Sequence, residues 1–568
     1  MQIVHGLNFQ NVRGDIYGGL TAAVVALPLA LALGVSSGAG PIAGIYGAIF
    51  VGLFGALFGG TPAQVSGPTG PMTVVMAAIF TQYTAMYPES PAHGAGLAFT
   101  VVIMGGLFQI LFGFLKLGKF INLIPHPVIS GFMSGIGVII ILLQLGPLFG
   151  HEAYSDPLSS AKALPSILHD PVTEAMMLAG LTLAIVYLLP KKINRILPSP
   201  LMALIVGSVA LFVWKGGAIS SVLENGNTLY TMGGTPVLGD IPTGIPTPQL
   251  PVLELSLLAS MLKSALTLAA LGSIDSLLTS LVADNITRTH HESNRELIGQ
   301  GIGNTLAGLF GGLPGAGATM RTVVNVRAGG RTPISGALHA LILLGIVLGA
   351  GGVARYIPQA VLAGILVKVG TDIIDWDYLK RLKSAPKAGM MMMFTVLGIT
   401  VFVDLITAVA IGMIMASFVF MQRMVDLQMN SVSAITDTQQ EFPLSKEESQ
   451  IMKEAKGRIL LFHISGPMSF GAAKGMARRL ASFDEYDVLV IDLSDVPQID
   501  FTSTRALEDM LHDAWDSGRD AFLVGCKRQV CDMLKKQKIV EKFDEQFLKE
   551  QRVEALRDGL QILHKRSM

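Results

Sequence analysis

The sequence predicts an α-helical membrane protein of about fourteen transmembrane segments followed by a soluble α/β domain. Three observations lead there. Of 568 residues, 51% are hydrophobic and only 14% charged, with a mean hydropathy of +0.55, too apolar for a water-soluble chain of this size. The charges are segregated: residues 1–425 are almost uncharged between short polar punctuations, and acidic and basic residues crowd the remainder. Finally, two of the apolar stretches are short and open on glycine-rich breaks, "GPTGPM" at 67–72 and "GLPGAGATMR" at 312–321.

In order, the apolar stretches fall at 17–36, 41–59, 71–83, 96–115, 127–149, 174–190, 198–214, 256–281, 296–311, 319–328, 333–352, 357–374, 388–403 and 405–421. No cleavable signal peptide is expected, because the first run leads into the second without a small-residue cleavage pattern. With a cytoplasmic N-terminus, the connections after even-numbered segments are cytoplasmic too. They carry Lys116, Lys119, Arg288, Arg295, Arg327, Arg331, Lys380 and Arg381, whereas the opposite connections hold mainly Lys162, Lys215 and Arg355. This asymmetry sets the orientation. The short segments are the third and the tenth, the third member of each half in a seven-plus-seven arrangement, and repeats with an odd number of spans must be inverted. Gly67-Pro68-Thr69 opens one short segment and Gly317-Ala318-Thr319 the other.

Residues 1–425 are thus expected to form a transmembrane domain, 426–456 a polar linker and 457–568 a soluble domain. In the last, "RILLFHISG", "VLVIDLSDV" and "AFLVGC" read as buried strands, while Ala472–Ser482 and Ser503–Ser517 have helical spacing. Fourteen spans return the chain to its starting side, so this domain is expected in the cytoplasm. Its Cys526 and Cys531, the only cysteines, are expected as reduced thiols. With 41 basic and 41 acidic residues, the net charge gives no reason to expect a nucleic-acid partner.

Irregular backbone survives at membrane depth only where it is buried in protein or lines a watery cavity. Half-helices starting near Pro71 and Thr319 would aim their free N–H groups and partial positive charge at the midplane, and two such termini make an anion receptor. Thr69 and Thr319 are candidate caps or ligand hydroxyls. The competing reading is close packing of small residues between helices. Arg321, two residues after Thr319, is costly at such depth unless it lines the site or snorkels to the interface. Asp275 is the single acid within "LGSIDSLLTS", and Thr279 lies one turn on along the same face. A carboxylate and a hydroxyl so spaced suit Na⁺ or a proton; an ion pair with Arg321 is the structural alternative. His339, Lys368 and Lys263 are expected to be satisfied in packing or near an interface. No metal-ligand cluster, nucleophile elbow or phosphate loop stands out, so neither an enzyme nor a cofactor is expected.

The stretches "NRELIGQGIGNTLAGLFGGLPGAGATMRTVVNVRAGGRTPISG", "GGLTAAVVALPLALALGVSSG" and "PTGPMTVV" resemble the SulP anion transporters, solute carrier family 26, and the C-terminal part resembles their STAS domain. The resemblance implies a uracil-permease-like fold: a seven-plus-seven inverted repeat whose core, segments 1–4 and 8–11, moves against a gate, as a homodimer in the cytoplasmic (inner) membrane. "GPTGPMTVV", "IDSLLTSLVAD" and "GAGATM" are most similar to the sodium-dependent bicarbonate-transporting branch. Carried over, Asp275, Thr279 and Gly317 match its sodium site, and Thr69, Ala318 and Thr319 its anion site. Arg321 is instead similar to the arginine of other members, many of which carry Glu where this chain has Asp275. The STAS resemblance extends to anti-sigma-factor antagonists, whose helix-opening loop holds a phosphorylatable serine; here Ser503, Thr502 and Thr504 occupy it, and helix capping competes with that role. A cytoplasmic regulator acting on this domain is the partner so implied. Na⁺-coupled bicarbonate uptake is the expectation, H⁺-coupled sulfate or dicarboxylate transport its rival, and a membrane-anchored STAS sensor with vestigial transport a rival of another class.

Overall fold

Long helices build the membrane domain, and two two-residue strands pair where two of those helices are interrupted. The computed structural model describes the chain except residues 1–3, 120–123, 153–155, 195–196, 225–226, 240–245, 438–441, 484, 540–546 and 568. It divides into two compact units, 1–413 and 414–568.

The first unit begins with α1 (Val12–Ser36) and α2 (Pro41–Phe58), then strand β1 (Ser66–Gly67) and helix α3 (Gly70–Met86). Helices α4 (Pro91–Phe114), α5 (His126–Leu143), α6 (Thr173–Leu188) and α7 (Ser199–Lys215) follow. A three-stranded antiparallel sheet comes next: β2 (Ile219–Glu224), β3 (Asn227–Met232) and β4 (Thr235–Pro236). The second half repeats the pattern. Helices α8 (Leu258–Thr287) and α9 (Ser293–Leu309) lead into strand β5 (Ala316–Gly317) and helix α10 (Thr319–Ala328). The chain continues through α11 (Pro333–Ala354), α12 (Gln359–Ile373), α13 (Lys387–Phe402) and α14 (Leu405–Asn430).

Each predicted apolar stretch therefore contains a helix. Among the described residues, six helices are long and apolar enough to cross a membrane alone, including α1, α4 and α8, while α6, α7 and α13 are shorter apolar helices. Helices α10 and α11 bend by 111° at a short break. That bend is held from α1: the buried Asp15 carboxylate accepts from the Arg331 and Thr332 amides (2.7 and 2.9 Å) and from the Thr332 hydroxyl (2.8 Å). The half-helix α10 ends on a left-handed glycine cap, Gly329, and the Asp15 carboxylate holds the amides that follow it, just ahead of α11.

In the second unit, a five-stranded sheet runs in the order β10-β9-β8-β7-β6. It comprises β6 (Val432–Ile435), β7 (Ile459–Ser465), β8 (Val488–Asp495), β9 (Asp520–Val524) and β10 (Leu548–Lys549), all parallel neighbours except the antiparallel β6. Alternate side chains serve opposite faces: Leu489 and Ile491 pack with Leu507 and Met510, Val488 and Val490 with Ile451 and Leu556. Both faces are covered, which explains why these strands read as unbroken apolar runs. Helices α15 (Lys446–Ala455), α16 (Phe470–Leu480), α17 (Phe501–Asp516), α18 (Arg528–Lys536) and α19 (Arg552–Ser567) complete the unit.

The stretch 426–456, expected as a polar linker, contributes β6 and α15 to this unit. Strand β6 is an edge too short to show alternation, and α15 opens on a Ser445/Glu448 capping box whose helix is mostly polar. Cys526 and Cys531, expected as reduced thiols, are paired with each other across the turn from β9 into α18.

Candidate transport site

The site is built where the two half-helices begin. Strands β1 and β5 pair antiparallel, Ser66 opposite Gly317 and Gly67 opposite Ala316, so the breaks of both halves lie side by side. The Ala318 amide donates to the Val65 carbonyl (2.9 Å), and the Val65 amide returns a bond to Thr322 Oγ1 (3.1 Å). Backbone freed by interrupting two helices is thereby satisfied inside the protein, as membrane depth requires.

Thr69 caps α3 and Ala318 caps α10, but neither helix start is closed by a side chain. The first-turn N–H groups of both helices remain available, with their partial positive charge. The Thr69 hydroxyl is buried and, among the described residues, has no hydrogen-bond partner. It faces the Asp275 carboxyl of α8, close enough to interact yet short of a well-formed hydrogen bond. Asp275 is 6% exposed, and its Oδ2 is unpartnered among the described residues.

One turn along α8, Thr279 Oγ1 contacts the Gly317 carbonyl (2.8 Å) and Thr319 Oγ1 (2.7 Å). The Gly317 amide donates to Ser276 Oγ (3.1 Å). Thus one face of α8 presents Asp275, Ser276 and Thr279 to the start of α10. Thr279, Gly317 and Thr319 form one hydrogen-bonded cluster, with Asp275 one turn back along α8 and near Thr69.

Arg321 is only 3% exposed, so it does not snorkel. Its Nη2 donates to the Pro68 carbonyl (2.6 Å), and no ion pair within 4.0 Å joins it to Asp275, although the two charges feel each other. A residue of the second half therefore closes the break of the first. Gly67 makes room for it: its φ of 150° is poorly tolerated by side chains, and a Cβ there would sit 2.8 Å from Arg321 Nη1.

The remaining candidates divide. His339 is fully buried, and among the described residues neither ring nitrogen makes a well-formed hydrogen bond, against the expectation of hydrogen bonding in packing. Its ring lies where a side chain on Gly52 would go, with the Gly336 backbone close by but short of a well-formed hydrogen bond. Lys368 pairs with Asp372 one turn on. Ser503 belongs to the second unit. It is buried in the first turn of α17, whose cap is Asp500, accepting from the Ser503 amide (2.8 Å); Thr504 instead bonds the Asp500 carbonyl (2.7 Å). The capping role expected of Ser503, Thr502 or Thr504 belongs to the acid before them.

Sequence reasoning missed the face of α9 formed by Glu296, Gln300 and Asn304. Asn304 bonds both the amide and the carbonyl of Gly315 (2.7 and 2.9 Å). Four-residue spacing of three polar residues in an apolar helix was the available signal.

Opposed half-helix starts, each fed by a two-residue strand, inside a helical membrane domain with an α/β domain after it, define a multi-pass carrier of small anions. Residues 12–396 match the sulfate permease family and residues 450–554 the STAS domain. The chain belongs to the sulfate permease family, a family of transporters. It is 45% identical to the bicarbonate transporter BicA of Synechocystis over 99% of this chain and 97% of that protein. Against the putative sulfate transporter YvdB of Bacillus subtilis the identity is 29%, covering 95% and 96%. Among solved structures, the transmembrane domain of a cyanobacterial bicarbonate transporter BicA matches with a TM-score of 0.64 and 48% identity, covering 72% of this chain and all of that one. The full SLC26A9 structure shares the fold, with a TM-score of 0.77 at 18% identity over 98% of this chain and 91% of that one.

Proposed function

We propose that this protein takes up bicarbonate together with Na⁺ across a bacterial-type cytoplasmic membrane by alternating access, its termini and STAS domain (457–568) cytoplasmic and its transport domain (1–425) acting within a homodimer. The observation that carries the reading is the buried Asp275 carboxylate, whose free oxygen faces the free Thr69 hydroxyl between the two half-helix starts. A hard monovalent cation fits Asp275, Thr279 and the Gly317 carbonyl, all oxygen donors. A small anion fits the open N–H groups of α3 and α10 beside Thr69, Ala318 and Thr319, with Arg321 adding positive field. Neutralising one charge with the other lowers the cost of moving both through a low-dielectric interior. The proteins named as bicarbonate transporters, similar over nearly the whole chain, support the choice of anion.

Buried Arg321 favours a second reading, H⁺-coupled transport of sulfate or a dicarboxylate, since an extra fixed positive charge suits a doubly charged anion. Uptake of radiolabelled bicarbonate and sulfate into proteoliposomes, with and without a Na⁺ gradient, separates the two. Bicarbonate uptake that follows the Na⁺ gradient supports the first; sulfate uptake driven by a pH gradient replaces it with the second.

A further inference from the structure

Glu296 is an ionisable side chain sealed in the membrane domain, 1% exposed, and none of its contacts is a cation. Oε2 accepts from the Gly60 amide (2.9 Å), and Oε1 accepts from Gln64 Nε2 (2.6 Å) and Gln300 Nε2 (2.7 Å). Each of these three neighbours donates, an arrangement that holds a carboxylate chiefly by hydrogen bonds.

Both glutamines lead to the same place. The Gln64 amide lies directly behind Gly317, where a Cβ would meet its Nε2 at 2.4 Å. Its Oε1 is held by Ser280 Oγ (3.1 Å), on α8 one residue after Thr279. Gln300 Nε2 also donates to Ser66 Oγ (2.6 Å), and Ser66 is the ladder partner of Gly317. Glu296 thus grips Gly317 from behind through Gln64 and from across the strand pair through Gln300.

We propose that Glu296 is a positioning residue of the transport site, setting the aim of the Gly317 carbonyl and so the affinity for the coupling cation. It touches neither ion. The proposal rests on the sodium reading of Asp275, Thr279 and Gly317 given above. It assigns the α9 carboxylate a part in cation selectivity beyond holding helices together.

The test is thermal stabilisation of the purified full-length protein by NaCl, with choline chloride as control, and by bicarbonate at saturating Na⁺, in wild type and Glu296→Gln. Outer hydrogen-bond partners of ion ligands are typically worth about tenfold or more in affinity. The half-saturating Na⁺ concentration should therefore rise about tenfold in the variant, with the bicarbonate response nearly unchanged. The double variant Gln64→Glu/Glu296→Gln, which restores a carboxylate–amide pair at the same place, should recover much of the Na⁺ response. Should Glu296→Gln fail to fold, Gln64→Met cuts the link to Gly317 while keeping the carboxylate, and the same Na⁺-selective loss is expected. Unaltered Na⁺ affinity, or equal loss of Na⁺ and bicarbonate responses without recovery in the swap, would overturn the proposal. A wild-type protein with no Na⁺ response would instead overturn the sodium reading, and the proposal with it.

Discussion

Replacing Asp275 by Asn tests the coupling step most directly. Asn keeps the shape and removes the charge, and no ion pair within 4.0 Å of Asp275 would be broken by the change. The charge lost is therefore the one offered to the cation. Two unit charges about 4 Å apart at an effective dielectric constant of about 20 interact by about 4 kcal/mol. At about 1.4 kcal/mol per decade, that is roughly a thousandfold in Na⁺ affinity. Even if half of this is regained by solvation, the half-saturating Na⁺ concentration moves well beyond an ordinary gradient. Initial rates of radiolabelled bicarbonate uptake into proteoliposomes, over a Na⁺ series, should show Na⁺-driven uptake abolished. Stabilisation by bicarbonate at high concentration should persist, showing that the protein is folded and its half-helices are in place. Ordinary Na⁺-driven uptake by Asp275→Asn would refute the assignment.

Gly317→Ala puts a methyl group 2.4 Å from Gln64 Nε2, an overpacking expected to cost about 1–3 kcal/mol and to abolish Na⁺-driven uptake; unchanged uptake and melting temperature would contradict the packing. One Na⁺ carried with one bicarbonate moves no net charge, whereas an uncompensated charge feels about 2.3 kcal/mol per 100 mV. An imposed inward-negative potential should therefore leave Na⁺-driven uptake nearly unchanged, and a current accompanying uptake would exclude one-to-one coupling. In the C-terminal unit, burial alone would push the Asp492 carboxyl upward, but hydrogen bonds from His463 and Ser494 outweigh it and hold its pKa at about 2. A pKa lowered on folding stabilises above the unfolded value and ceases to do so as pH falls through the folded one. Asp492→Asn should thus cost about 2 kcal/mol at neutral pH. Protection of the β8 amides against hydrogen exchange at neutral pH, and urea unfolding of the full chain as pH falls from about 4 to about 2, should show this penalty and then its disappearance; a pH-independent difference would exclude the carboxylate as its source.

Much of the architecture was legible because the bilayer imposes length and apolarity. Each predicted stretch holds a helix, and the two breaks stood out because glycine, proline and threonine are costly in lipid without a purpose. Asp275 and Thr279 were readable as one helix face. What escaped was anything whose meaning depends on a distant partner. The pairing of Ser66 with Gly317 leaves no periodic signal, since two residues cannot show alternation. Arg321 read as site lining with snorkelling as the alternative, and its bond to the Pro68 carbonyl, 253 positions away, had no local signal. Glu296, Gln300 and Asn304 carried a helical spacing, yet their targets, Gln64, Ser66 and Gly315, lie in backbone that local pattern cannot place. The edge strand β6 and helix α15 were lost for the opposite reason, the strand being too short to show alternation and the helix polar enough to read as a linker.

The bond between Arg321 and Pro68 joins residues 253 positions apart, and it has a consequence for how the protein is made. At the usual synthesis rate of about 5–20 residues per second, the first break waits roughly 13–50 s for the residues that close it. Throughout that interval the carbonyl of Pro68 and the edge of β1 sit in a nascent chain whose second half does not yet exist. Lipid cannot satisfy them. The first repeat must therefore stay hydrated, sheltered by the insertion machinery or unthreaded until the start of α10 arrives, so the candidate site is assembled only after more than half of the chain has been made.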